Sequence, residues 1–164
     1  MGALACVDVS ELPPPADVAV SFVAPPTTRR PRPGELTAAW RAALVVTWIG
    51  AFLAYLAVWK ASEEIGIGTW WLGARSSPQP VVIRLVPFAV AATFAALAGY
   101  NVRRMPWISL FGAAVLAGIA AADLSRSTGL AVVEFAIAAA VAVVSLASST
   151  GMYRAAPEAA HDGG

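Results

Sequence analysis

The sequence predicts an all-α, polytopic membrane protein, an antiparallel bundle of four transmembrane helices behind a proline-rich N-terminal tail. Three observations lead there. Hydrophobic side chains make up 59% of the 164 residues and charged ones only 13%, with a mean hydropathy of +0.69, too apolar and too charge-poor for a soluble domain of this size. Four apolar runs of about 17 to 20 residues each match a hydrocarbon core of about 30 Å at a rise of about 1.5 Å per residue. The connections between the last three, YNVRR and DLSRST, are short enough to require antiparallel neighbours.

The elements follow in chain order. Residues 1–38 carry Pro13 to Pro15, Pro25, Pro26 and the motif RRPRPGE, with no period of 2 or 3.6, and are expected to form a disordered cytoplasmic tail. Its start, MGALAC, lacks the basic and long apolar regions of a signal, and Cys6 stands where a myristoylation motif wants Ser or Thr, so the segment is expected to be retained and unmodified. The transmembrane domain is placed at 39–150, with spans over 40–59, 81–100, 106–122 and 129–147, and residues 151–164 as a second disordered cytoplasmic tail. Pro106 falls at a helix start, where its missing N–H costs nothing; Pro87 lies inside span two and predicts a kink. Only the loop from Lys60 to Pro80 is long enough to have its own shape, and its Trp70 and Trp71 read as an interfacial anchor lying along the membrane surface. Glu63 and Glu64 read as a solvated edge of the same loop. No internal repeat is present, which gives no support to an inverted-repeat transporter.

Charge placement sets the orientation. Arg29, Arg30, Arg32, Arg41, Arg103, Arg104 and Arg154 fall on one side, against Lys60, Arg75, Arg84 and Arg126 on the other, which places both termini in the cytoplasm of a plasma-membrane protein. Arg29, Arg30, Arg32, Arg103 and Arg104 are the residues that set this topology. One cysteine, Cys6, and one histidine, His161, leave no set for a disulfide, a structural metal site or a Cys/His nucleophile. No phosphate-binding glycine loop, HExxH or GxSxG is present, so no catalytic residue, metal or cofactor is expected.

Two groups of residues stand out. Glu134 is the one carboxylate in AVVEFAIAAA, and steps of three and four from it meet Ala138, Val141, Ser145 and Ser148, a face of mostly small or hydroxylated residues. In the predicted topology Arg84, Asp123 and Glu134 share one level of the outer half. An intramembrane carboxylate costs about 2 to 3.5 kcal/mol, and a guanidinium partner lowers that cost, which predicts an Arg84–Glu134 pair with Asp123 as alternative or third member. Span one carries a stripe of Trp48, Phe52, Tyr55 and Trp59, with Thr47, Gly50, Ala54 and Ala57 largely opposite. The small face is expected to pack inward and the aromatic face to meet lipid or a partner.

At WWLGARSSPQPVVIRLVPF, continuing to YNVRRMPW, the sequence resembles small multi-span membrane proteins of actinobacteria, a resemblance that covers roughly residues 40 to 150 and implies a plasma-membrane location without a known activity. In span count it also resembles the small multidrug resistance transporters, but their membrane glutamate is in the first span, and here span one has no acid. The functional expectation is a non-catalytic accessory or scaffold subunit whose partners are the lipid bilayer and another membrane protein or further copies of itself, not nucleic acid. The alternative is a small oligomeric transporter or channel that uses Glu134 with Arg84 as its ion or substrate site.

Overall fold

The computed structural model describes residues 33–153, and these are mostly helical. Helix α1 spans Ala38–Ile65, a two-residue hairpin pairs β1 (Gly73–Ala74) with β2 (Ser77–Pro78), and helices α2 (Val81–Arg84), α3 (Val86–Gly99), α4 (Met105–Asp123) and α5 (Thr128–Ser148) follow, ending in a 3-10 turn over Ser149–Gly151. Three helical stretches, Ala38–Ile65, Met105–Asp123 and Thr128–Gly151, are long and apolar enough to cross a membrane; α3, with 14 residues, is shorter.

The helix expected over 81–100 is broken where Pro87 predicts it. Proline has no N–H for the carbonyl of Ile83, so the chain turns at Leu85 and restarts as α3 with Pro87 in its first turn. Pro106 likewise sits in the first turn of α4. Helix α5 starts on Ser127, whose hydroxyl accepts from the Leu130 N–H at 3.4 Å, and α1 ends on Gly66 in the left-handed region at φ 79°.

Each long helix buries one stripe. In α1 it is Leu44, Trp48, Ala51, Tyr55, Val58 and Ser62, spaced by three and four, and in α5 it is Ala131, Glu134, Ala138, Val141, Ser145 and Ser148. The outward faces are no less apolar, with Val46, Phe111 and Val143 each about two-thirds exposed. An interior that holds the polar groups inside an apolar surface suits a surround of hydrocarbon. Helix α1 packs on α3 and α5, and α4 packs on α5 and α3, so the helices close a ring. Gly112 lets α4 approach the rings of Trp48 and Phe94, which lie 2.7 and 2.8 Å from where its Cβ would stand.

Two expectations need correction here. The aromatic stripe of α1 faces inward: Trp48 and Tyr55 are fully buried, Phe52 and Trp59 partly, whereas Gly50 and Ala57 are exposed. Large rings bury more area than alanines, and Phe88, Phe94 and Trp71 supply faces for them to meet. The expected tail bounds also shift, because residues 34–37 and 151–153 are paired with each other. Residues 34–37 run antiparallel to 151–153 through Gly34 N–H to the Tyr153 carbonyl (2.9 Å), Tyr153 N–H to Glu35 (2.9 Å) and Thr37 N–H to Gly151 (3.1 Å). Asn101, at φ 52°, accepts from the Leu36 N–H at 3.1 Å, and Arg104, at φ 60°, donates its N–H to the Gly34 carbonyl at 3.0 Å. Arg29, Arg30, Arg32 and Arg154 lie outside the described residues; Arg103 and Arg104 are exposed beside this junction.

Candidate functional site

The loop after α1 folds into the end of the bundle. Gly66 turns it, the Ser62 hydroxyl donates to the Ile67 carbonyl, and Gly68 approaches the Gly73 carbonyl so closely that a Cβ would stand 2.2 Å from its oxygen. Gly73, at φ 80°, and the hydrogen bond from Gln79 N–H to the Leu72 carbonyl (3.0 Å) bring the chain back to α2. Trp70 and Trp71 are thereby carried inward. Trp71 is fully buried, edge-on to Tyr55, Trp59 and Phe88, and is no surface anchor.

Asp123 and Glu134 both hold this loop. The Trp71 indole N–H donates to Glu134 Oε1 at 3.0 Å. The Trp70 main-chain N–H donates to Asp123 Oδ1 at 2.6 Å, and its indole donates to the Ile119 carbonyl at 3.1 Å. Asp123 and Glu134 are both 0% exposed. Glu134 Oε2, Asp123 Oδ2 and the Tyr55 hydroxyl have no hydrogen-bond partner among the described residues. The site is therefore a pair of buried acids, each bonded once to the loop, with three polar oxygens left over.

Arg84 takes no part in it. Its guanidinium lies over the Trp59 ring at 4.8 Å from the centroid, and no ion pair joins it to Glu134 or Asp123. The expected Arg84–Glu134 pair is not formed, because the indole of Trp71 occupies the carboxylate and the face of Trp59 holds the cation. Trp59 in turn donates its own N–H to Glu63 Oε1 at 2.7 Å, and Glu64 pairs with Lys60 at 3.5 Å.

A second polar cluster joins Trp48 and Ser145, named separately in the sequence, through Ser109, which was not. The buried Trp48 indole donates to Ser109 Oγ at 2.9 Å, Ser109 and Ser145 hydroxyls bond at 2.7 Å, and Ser145 donates to the Val141 carbonyl at 2.7 Å. Hydroxyls inside apolar runs were the available signal, since each needs a partner in hydrocarbon. No protein-family model, no curated protein and no solved structure matches the chain.

Proposed function

We propose that the chain is a multi-pass plasma-membrane protein, with α2 and α3 together as its fourth span and both termini cytoplasmic, that works without catalysis as an accessory or scaffold subunit of a membrane complex. The observation that carries this reading is the use of the two intramembrane acids. Glu134 and Asp123 are fully buried and each holds one point of the outer loop, Trp71 or Trp70, so they fix the shape of the surface that the protein presents. A carboxylate engaged by an indole in a closed core suits a structural role better than a substrate site, which needs an access route.

The test pairs two measurements. Affinity purification of the tagged full-length chain from its native membrane in mild detergent should bring down a stoichiometric membrane partner, and the chain reconstituted alone should show no cation or proton flux that depends on Glu134. The reverse outcome, no partner and a flux abolished by Glu134→Gln, would establish the transporter reading, for which the three unpartnered oxygens of Tyr55, Asp123 and Glu134 are the favouring feature. Orientation is open to a separate check, since the sole cysteine, Cys6, should resist an impermeant maleimide in intact cells and react after lysis.

A further inference from the structure

A cleft of ≈ 620 Å³ opens between the last turns of α1, the loop and α2, with Trp59 and Leu72 in its apolar wall. Its size falls within the range of about 300 to 1,000 Å³ usual for small-ligand sites. Three cations line it, Lys60, Arg75 and Arg84, against two acids, Glu63 and Glu64, an excess of one positive charge. The individual contacts locate that excess. Lys60 has Glu64 at 3.5 Å, and Arg75 Nη2 donates to the Glu63 carbonyl at 2.6 Å. Arg84 has neither a carboxylate within 4.0 Å nor any hydrogen-bond acceptor among the described residues, and its Nε is buried without one.

A guanidinium stays charged at any physiological pH and carries five donors in a planar fork that matches the oxygens of a phosphate. Stacked on Trp59 at 4.8 Å, this one is oriented before any ligand arrives. Around the cleft, Ile65, Val81 and Val82 are about two-thirds or more exposed, while the neighbouring Lys60 and Glu64 are solvated. That mixture marks the depth at which lipid tails give way to headgroups.

We infer that the cleft binds an anionic phosphate group on Arg84, with Lys60 and Arg75 adding to its field. The phosphate comes either from an anionic lipid headgroup or from solution, and the inference does not depend on the scaffold reading. Native mass spectrometry of the full-length chain in a neutral detergent tests it, with phosphatidylglycerol, phosphatidylcholine and inorganic phosphate as probes. Retention of phosphatidylglycerol over phosphatidylcholine assigns the lipid; displacement of both by millimolar inorganic phosphate assigns the free anion. Arg84→Gln should lower the bound fraction about tenfold and Arg84→Lys should keep part of it, as loss of a charge-assisted fork predicts. Near-UV circular dichroism checks the fold of each variant. Two measurements avoid Arg84 altogether: binding to the unaltered chain should weaken as sodium chloride rises, and Lys60→Gln should weaken it about two- to threefold through the lost field. Equal retention of charged and neutral lipid with no phosphate binding would overturn the proposal. So would phosphate binding that neither Arg84→Gln nor salt reduces.

Discussion

The two ends of the helical core bury polar groups in different ways. Where the described chain enters and leaves, Trp48, Ser109 and Ser145 form a neutral chain in which the indole, both hydroxyls and the Val141 carbonyl are all engaged. At the loop end, Trp70 and Trp71 meet two carboxyl groups, each bonded once, with Asp123 Oδ2 and Glu134 Oε2 left without donors. The same donor type, an indole N–H, thus serves a self-sufficient network at one end and a dependent one at the other. A network of hydroxyls survives loss of a member because the remainder re-pair; a carboxyl pair with single bonds leaves an isolated polar group in a poorly polarisable core.

Substitutions can break this contrast. The largest effect is expected from Glu134→Ala, which orphans the Trp71 indole and opens a cavity, at a cost of about 3 to 5 kcal/mol. Glu134→Gln keeps an acceptor for Trp71 and should lose far less. Thermal unfolding in detergent micelles, with acrylamide quenching to report exposure of the loop tryptophans, distinguishes them. Next comes a matched pair. Trp71→Phe retains the ring contacts with Tyr55 and Phe88 but leaves Glu134 Oε1 without its donor, at about 2 to 3 kcal/mol, while Trp48→Phe should cost about 1 kcal/mol because Ser109 and Ser145 still bond each other. Equal losses in the two variants would erase the distinction. The smallest effect is expected from Asp123→Asn. Its amide oxygen still accepts from Trp70 and its NH₂ can supply Glu134 Oε2, so the midpoint should hold or rise.

The helices were legible because hydrophobic runs and proline positions are local signals. Pro87 marked the break at Leu85, and counting from Glu134 in threes and fours named Ala138, Val141, Ser145 and Ser148, all of which are buried on one face with it. The shared level of Asp123 and Glu134 was legible for the same reason. Their partners were not. Charge complementarity pointed Glu134 at Arg84, but the loop delivers an indole donor to the carboxylate, and nothing in the period of a helix reports where the connection over residues 66–80 folds. The inward aromatic stripe was missed by the same gap, since Trp71 is half of the surface that makes burial of Tyr55 and Trp59 favourable.

The junction of Leu36, Asn101 and Gly151 has a mechanical consequence. Residues 34–37 are bonded on one side to 151–153 and on the other to the turn between α3 and α4, so a force applied through the chain before Gly34 is shared by three segments before any helix feels it. A tether at either end of the described chain pulls on one common knot. Gly151 is the tightest point of that knot, because a methyl group there would stand 1.8 Å from the ring of Trp40. Any load carried by the proline-rich segment would therefore reach the first and last spans together.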